Sequence, residues 1–327
     1  MMTYRYIFAI LLFVFALAGI AEAQLYIAPN STVSLEANTT FTVNGDVEIS
    51  NTATLETEAE VYVSGDWTNN GTINANGGFV SFYGLTNSVI GGTNPSIFYA
   101  LNINKTDAFN NLVLMQNDVS VLNGMTIDFG IFRFVFNLSA WTLNIGTDLD
   151  IAATGTIEVD NSAVQTHQLN IDGNITNNGT LDFQNGPGLV NTTFQGSTNS
   201  VVSGSSVSEF NEIEVDKDDL ADEVQMNVDF NSPDQYLTLT RGTFHIGGTY
   251  NYARTTFSTS VSTYSIPAGA GFWLDNVNAT VVGLASLGCD LDGLLRLSHG
   301  QFNIGNGATA SNLYYSDGSQ ILIENPY

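Results

Sequence analysis

The sequence predicts an all-β protein whose mature part is a right-handed parallel β-helix behind an N-terminal signal peptide. Three observations lead to this prediction: an apolar N-terminal segment that ends in a cleavage motif, a long internal repeat, and short strand patterns separated by polar corners. Tandem β-sandwich domains of about 100 residues are the alternative, because such domains also contain many short strands.

The N-terminal segment has the three parts of a secretory signal peptide, residues 1–23. Arg5 supplies positive charge, Ile7–Ile20 is apolar, and Ala21–Ala23 reads as an A-x-A cleavage motif. The apolar stretch is shorter than a membrane-spanning helix needs. We therefore expect the mature chain to be exported without a transmembrane helix and to act outside the cell or on its outer surface.

One long unit occurs twice in the mature chain. VSGDWTNNGTI (Val63–Ile73) aligns with IDGNITNNGTL (Ile171–Leu181) at an offset of 108 residues. FYGLTNSV (Phe82–Val89) aligns with FQGSTNSV (Phe194–Val201) at an offset of 112 residues, after a four-residue insertion. Such long-range similarity is typical of solenoids, in which each repeat buries its apolar face against its neighbours.

The aligned segments give approximate boundaries for the repeat units. The first unit covers about residues 47–134 and the second about residues 149–246. A partial third copy covers about residues 290–305, where LRLSHGQFNIG (Leu295–Gly305) matches LTLTRGTFHIG (Leu237–Gly247). We predict that residues 24–327 form one repetitive β-helix.

Within each unit the apolar residues alternate over very short distances. Phe41 and Val43, like Leu169 and Ile171, are separated by one residue, which is the period of a β-strand. Gly, Asn and Asp follow these pairs, and Asn tolerates the left-handed backbone of a tight corner. Pairs this short bury enough surface only when coils stack, and the crossover preference of parallel strands makes the helix right-handed.

The composition limits the classes of partner. A net charge of −25 repels phosphate groups, so nucleic-acid binding is not expected. Charged residues make up only 12% of the chain while 43% is hydrophobic, which is typical of a folded protein rather than an acidic tail. Because Cys289 is the one cysteine, we expect it to be a small buried core residue.

The repeated motifs resemble those of a known class of proteins. The pattern Gly-Asp/Asn-x-Thr-Asn-Asn-Gly-Thr-Ile/Leu begins at Gly65 and Gly173, and Phe-x-Gly-x-Thr-Asn-Ser-Val follows it in both units. These motifs are similar to those of the large repetitive surface proteins of Bacteroidetes, and the likeness covers nearly the whole mature chain. The resemblance implies an adhesin-like protein with a pectin-lyase-like β-helix.

The sequence does not contain the residue patterns of an enzymatic β-helix. Lys105 and Lys217 occupy equivalent repeat positions, whereas a catalytic residue is ordinarily unique, so we expect both at the surface or in salt bridges. Of the signatures of polygalacturonase-type glycosidases, only an acidic pair is present, at Asp218 and Asp219. We therefore predict no catalytic residue and no enzymatic activity.

The densest acidic stretch contains the candidate metal ligands. Carboxylates at close spacing are the oxygen ligands that Ca²⁺ prefers. The candidates are Asp216, Asp218, Asp219 and Asp222. Their spacing fits neither an EF-hand loop nor a glycine-rich calcium repeat, so a solvated loop is the main interpretation and no cofactor is predicted.

The histidines do not form a zinc motif. His167, His245 and His299 lack H-x-x-x-H spacing, and we expect His245 and His299 to be exposed strand or corner residues.

The aromatic residues are mainly expected in the core. Phe82, Phe98, Phe132 and their repeat copies alternate like buried residues, while Tyr314 and Tyr315 form a candidate exposed patch.

Export, repeats, acidity and the lack of a catalytic pattern predict a secreted or cell-surface structural or adhesive module. We expect many weak contacts along one face to bind extracellular glycans or surfaces. A polysaccharide-active lyase or glycosidase is the alternative, and its basic residues would be Arg133, Arg241 or Arg254. A third hypothesis is a carbohydrate- or Ca²⁺-binding module of a larger protein, which an exposed aromatic row on one sheet would favour.

Overall fold

The computed structural model describes residues 24–108, 110–135, 139–259, 263–284, 288–305 and 312–324. The predicted signal peptide, residues 1–23, lies outside these ranges. Every regular element in the described ranges is a β-strand, and no helix there is long and apolar enough to cross a membrane.

The chain winds around three sides, and each side is a stack of short strands. Every coil passes through sheet 1, then sheet 2, then sheet 3, and about 12 turns follow one another along the axis. The strands are short because each apolar pair is followed within a few residues by Gly, Asn or Asp, where the chain turns.

The strands are numbered in chain order. Sheet 1 contains β1 (Leu25–Ile27), β4 (Val47–Ile49), β7 (Trp67–Asn69), β10 (Ser88–Gly92), β13 (Leu112–Met115), the second halves of β15 (Met125–Phe134) and β17 (Leu149–Val159), β20 (Thr180–Asp182), β23 (Ser208–Glu209), β26 (Phe230–Asn231), β28 (Tyr252–Thr255), and the second halves of β30 (Ala270–Val282) and β32 (Leu294–Asn303). Sheet 2 contains β2 (Thr32–Leu35), β5 (Thr54–Thr57), β8 (Thr72–Ala75), β11 (Ser96–Phe98), β14 (Val119–Val121), β16 (Thr142–Ile145), β18 (Thr166–Ile171), β21 (Leu189–Gly196), β24 (Ile213–Lys217), the first half of β27 (Leu237–Ile246), β29 (Tyr264–Ile266), β31 (Gly288–Leu291) and β33 (Asn312–Tyr315). Sheet 3 contains β3 (Thr40–Val43), β6 (Glu60–Val63), β9 (Phe79–Gly84), β12 (Leu101–Lys105), the first halves of β15 and β17, β19 (Ile175–Asn177), β22 (Ser200–Ser203), β25 (Glu223–Met226), the second half of β27, the first halves of β30 and β32, and β34 (Gln320–Ile323).

The strand pairings of the described residues are all parallel. In sheet 1, Leu25 pairs with Val47 and Val47 pairs with Trp67, so equivalent positions of successive coils stack. The residue registers join strands of successive coils and never two strands adjacent in the described part of the sequence, which leaves no hairpin of the kind that builds a sandwich. The parallel β-helix prediction is confirmed, and the tandem β-sandwich alternative is wrong.

One hydrophobic core runs through the coils because inward and outward positions alternate. In β6, Val63 is buried whereas the preceding Tyr62 is partly exposed. Phe82 and its repeat copy Phe194 are fully buried, as predicted, and so is Cys289.

The long repeat does not fill a whole number of turns. Tyr62 lies in sheet 3, whereas Asn170 at the equivalent position of the second unit lies in sheet 2. Likewise, Trp67 lies in sheet 1 and its copy Ile175 in sheet 3. The repeat therefore covers four turns and two sides of a fifth, so the two copies present equivalent residues on different sides of the helix.

The Gly-Asp/Asn motif joins neighbouring coils through its side chain. Asp66 Oδ1 accepts the backbone N–H of Val89 at 2.8 Å. In the second unit, Asn174 Oδ1 accepts the backbone N–H of Val201 at 2.9 Å. These acceptors satisfy backbone donors at the corners, which accounts for the recurrence of the motif.

Candidate functional site

The outer face of sheet 3 carries a line of side chains from successive coils. Tyr62, Ser81, Asn102 and Thr126 occupy the same register position in β6, β9, β12 and β15. Parallel strands stack about 4.8 Å apart, so this line extends over about 14 Å of surface.

Three partly exposed aromatic rings form one wall of this surface. The rings of Tyr62 and Phe79 meet edge to face with centroids 5.5 Å apart, and Tyr62 and Tyr83 do so at 6.4 Å. The hydroxyl of Tyr83 also hydrogen-bonds to Asn44 Oδ1, which ties its ring to the coil two turns earlier. Aromatic side chains held in this way offer rigid apolar surface beside water.

A ladder of polar side chains forms the floor. Ser81 Oγ donates to Asn102 Oδ1 at 2.7 Å. Asn102 Nδ2 in turn donates to Thr126 Oγ1 and to Asp128 Oδ2, both at 2.7 Å. Because every polar atom of the Asn102 amide has a partner within the ladder, the floor is held in one conformation.

Two neighbouring cavities follow this face, and we call them together the sheet 3 groove. The first has a volume of about 450 Å³ and is lined by Tyr62, Phe79, Ser81, Ala100, Leu101, Asn102, Asn104, Asn123, Gly124, Thr126 and Asp128. The second has a volume of about 400 Å³ and is lined by Thr40, Thr42, Glu60, Tyr62 and Tyr83. Tyr62 lines both, so the two cavities meet at its ring.

The charges in the sheet 3 groove are negative. Asp128 lines the first cavity and Glu60 the second, and the described residues that line them include no Lys, Arg or His. Lys105, although it lies on β12, turns inward and donates from Nζ to the carbonyl of Tyr83 at 3.0 Å and to Ser88 Oγ at 2.7 Å. The groove therefore combines aromatic rings, amides and hydroxyls with two carboxylates.

The acidic residues predicted as candidate calcium ligands do not converge. Asp216 is partly exposed on β24, Asp218 and Asp219 are exposed, and Asp222 is partly exposed just beyond them. Asp222 Oδ2 accepts the N–H of Asp219 at 3.0 Å, and Asp219 Oδ1 accepts that of Ala221 at 2.9 Å. These carboxylates close a turn, and nowhere in the described ranges are three or more His, Cys, Asp or Glu side chains grouped to hold a metal ion.

The prediction that His245 is exposed is wrong. Its buried ring stacks on Trp273, with centroids 3.7 Å apart and planes 9° from parallel. Its Nδ1 lies 3.3 Å from Glu223 Oε2, and its Nε2 lies 4.0 Å from Asp275 Oδ2. Burial lowers the pKa of His245, against the opposing effect of these two carboxylates. His299 is exposed, as predicted, and its Nδ1 lies 2.6 Å from Asp275 Oδ1.

The prediction that Lys105 and Lys217 lie at the surface or in salt bridges is also wrong. Both are buried, and Lys217 Nζ donates to Ser200 Oγ at 2.7 Å and to the carbonyl of Asp172 at 3.0 Å. Burial lowers the pKa of each lysine to about 8. The two ammonium groups satisfy neutral oxygens between coils, which is a structural task shared by both repeat units.

The three arginines considered for catalysis each bind another coil. Arg133 Nε donates to Glu158 Oε1 at 2.7 Å. Arg241 Nη1 donates to the carbonyl of Asp218 at 3.2 Å, and Arg254 Nη2 donates to a carbonyl of the preceding coil at 2.9 Å. None of the three lines the sheet 3 groove.

Comparisons with known proteins add no homologue to this description, since no family model, curated protein or solved structure matches the chain.

Proposed function

We propose that the protein is an exported adhesive module without catalytic activity that attaches by binding glycans in the sheet 3 groove. The observation that carries the proposal is the pair of cavities that meet at Tyr62, where partly exposed rings lie beside hydrogen-bonding side chains. The resemblance of the repeats to Bacteroidetes surface proteins favours the same class of function.

The chemistry of the groove matches that of a sugar. A pyranose ring has an apolar face of C–H groups, which packs on an aromatic ring, and a rim of hydroxyls, which both donate and accept hydrogen bonds. The rings of Tyr62, Phe79 and Tyr83 supply the apolar surface. The exposed amides of Asn104 and Asn123 supply donors and acceptors.

The β-helix makes this surface rigid. Its groove side chains project from β-strands whose opposite faces are buried, as Val63 and Phe82 are beneath Tyr62 and Tyr83. A preformed surface loses little conformational freedom on binding, which favours association with a flexible polysaccharide. An adhesive protein also gains from many such weak contacts, because several copies that bind the same surface act together.

A direct binding experiment tests the proposal. The purified protein is passed over immobilised polysaccharides and applied to glycan-coated surfaces, with and without Ca²⁺, and the same mixtures are assayed for new reducing ends and unsaturated products. We expect retention on at least one polysaccharide without release of products. If the protein is retained on none of the polysaccharides, the proposal is overturned.

A polysaccharide-active enzyme is the second candidate, and one cluster favours it. Glu223, His245, Asp275 and His299 lie together on the last coils, with two carboxylate–imidazole contacts at 3.3 Å and 2.6 Å. Carboxylates and imidazoles are the groups that perform general acid–base catalysis. Time-dependent product release that disappears in a His245→Gln variant would establish this function in place of the first.

A further inference from the structure

We infer that the sheet 3 groove selects uncharged polysaccharide chains over acidic ones and holds one sugar ring on each side of Tyr62. The inference rests on the proposed glycan-binding function and adds the class of glycan and its position.

Two sugar positions follow from the way in which Tyr62 divides the groove. Tyr62 lines both cavities, Phe79 lines only the first, and Tyr83 lines only the second. Each cavity thus combines the shared ring with one further ring of its own. A sugar in one cavity and its neighbour in the other would both contact Tyr62.

The groove follows the helix axis, so it fits a chain rather than a single sugar. Most of its lining residues come from β3, β6, β9, β12 and β15, which are successive strands of sheet 3, and Ala100, Asn123 and Gly124 lie in the turns just before β12 and β15. Five stacked strands span about 19 Å, several times the width of one pyranose ring. We therefore expect affinity to rise with the number of sugars until the groove is filled.

The charge of the groove disfavours acidic sugars. A carboxylate or sulfate on the polysaccharide would approach Glu60 in one cavity or Asp128 in the other, with no cation among the described lining residues to compensate. Lys105, which lies on β12 of the same sheet, uses its ammonium group within the protein. The overall charge of −25 adds repulsion at a distance, and this repulsion is strongest at low ionic strength.

The aromatic rings are not features that the repeat requires. At the positions of Tyr62 and Tyr83 the second unit has Asn170 and Gln195, which also face outward from parallel strands. Residues needed to form the coils, such as the buried lysines, recur in both units, but these rings do not. Their single occurrence points to recognition, and it supplies a substitution that the fold already accommodates.

Isothermal titration calorimetry with matched polymers tests the selection. The probes are an uncharged glucan and its carboxymethylated derivative of the same length, each at low and high salt and with and without Ca²⁺. We expect the uncharged polymer to bind about tenfold or more tightly than the derivative at low salt, and the difference to narrow at high salt.

Three variants locate the site. Tyr62→Asn introduces the residue of the second unit and should weaken binding of the uncharged polymer about tenfold or more. Tyr26→Asn changes an exposed tyrosine on β1, outside the groove, and should leave affinity unchanged. Glu60→Gln removes a lining carboxylate, so it should strengthen binding of the carboxymethylated polymer by a larger factor than it changes binding of the uncharged polymer. Thermal unfolding and circular dichroism establish that each variant is folded.

The outcomes separate this inference from the function on which it rests. Equal or tighter binding of the carboxymethylated polymer, with or without Ca²⁺, would overturn the selection but leave glycan binding intact. Unchanged affinity in folded Tyr62→Asn would show that the glycan binds elsewhere and would overturn the placement. Binding of neither polymer, nor of any other glycan, would overturn the proposed function itself.

Discussion

Lys105 Nζ donates a hydrogen bond to Ser88 Oγ at 2.7 Å, although both side chains are buried. Lys217 makes the same contact with Ser200, also at 2.7 Å, in the second repeat unit. A buried ammonium group that hydrogen-bonds to neutral oxygens is costly, because these bonds replace its hydration only in part and the attraction of nearby carboxylates, such as Asp66 for Lys105 and Asp172 for Lys217, is smaller than the effect of burial. The two buried lysines therefore make the stability of the β-helix depend on pH.

The first prediction is that the two buried lysines make stability rise with pH between about 8 and 9. Burial lowers the pKa of each lysine from 10.5 to about 8, so between these values the unfolded chain binds more protons than the folded chain. Each lysine then contributes an increase in unfolding free energy of up to about 1.4 kcal/mol per pH unit. Urea unfolding from pH about 8 to 9 measures this slope, because above this range the unfolded chain releases protons from Cys289 and the tyrosines, whose pKa values burial raises in the folded chain.

A Lys105→Met variant provides the control for that slope. This substitution removes one titrating group but keeps a side chain of similar length. The stability of the variant should therefore rise less steeply with pH than that of the wild-type protein. General repulsion between carboxylates affects both proteins alike and cancels in the comparison. Identical slopes would contradict the assignment of the effect to Lys105.

The buried lysines show where inference from sequence ended. Leu101, Ile103 and Lys105 have the two-residue period of a strand, so alternation alone places Lys105 on the inner face. The expected cost of burying a charge argued for the surface instead. Ser88, which lies 17 residues earlier and helps to satisfy the ammonium group, becomes a neighbour only once the coils stack.

The fold was easier to predict than the groove for a related reason. Long-range repetition and alternating apolar pairs depend on the sequence alone, and they were sufficient for a parallel β-helix. The groove depends on which outward-facing side chains of successive coils become neighbours. The length of the repeat does not reveal these neighbours, because the two copies place equivalent residues on different sides of the helix. A signal existed in the outward Tyr62 between two inward valines, but its partners Phe79 and Asn102 come from later coils.

The role expected for asparagine was only partly correct. Asn30 and Asn38 are the described asparagines with a left-handed backbone, both with φ of 60°. Other asparagines act through their side chains, as Asn174 does when it accepts a backbone N–H of the next coil. The backbone conformation of a corner can be inferred from the residue type. A hydrogen bond from the side chain to the next coil can be inferred only when the backbone donor of that coil is known.

The second prediction concerns the coil-joining motif. Asp66→Ala removes the acceptor of the Val89 N–H, and we expect a loss of about 1–3 kcal/mol in unfolding free energy. Asp66→Asn is the matched control, because Asn174 performs this task in the second unit. Burial raises the pKa of Asp66, so the neutral amide should cost less than loss of the acceptor, although it also removes the attraction between the Asp66 carboxylate and Lys105. Equal losses in both variants, measured by urea unfolding, would contradict a role for the acceptor.

The third prediction concerns the glycine that packs on the buried lysine. Gly130 has a φ of +99°, and an added Cβ would lie 2.8 Å from Lys105 Cβ. Gly130→Ala should therefore destabilise the protein by about 1–3 kcal/mol through strain and overpacking. In Gly91→Ala the new Cβ would make an ordinary contact of 3.6 Å with Val89 Cγ1, so its unfolding free energy should change by less than about 0.5 kcal/mol. Similar losses for both variants would contradict this explanation.

The fourth prediction is a pH-dependent change in the fluorescence of Trp273. Its indole ring stacks on His245 and lies 3.7 Å from the guanidinium carbon of Arg296. A protonated imidazole in contact with an indole quenches its emission, so fluorescence should fall as His245 gains a proton. Burial lowers the pKa of His245, and Arg296 lowers it further, while Glu223 and Asp275 raise it, with a net shift below 6.5.

The same shift sets the sign of the effect on stability. Because folded His245 resists protonation, its unfolded form binds protons first, and stability falls as the pH decreases below 6.5. His167, whose pKa burial also lowers, contributes in the same direction but accepts a hydrogen bond from the backbone of Trp141 rather than stacking on Trp273. A His245→Gln variant should therefore lose the fluorescence transition while keeping part of the acid destabilisation. A transition that persists in this variant, or a midpoint above 6.5, would contradict the assignment to the stacked pair.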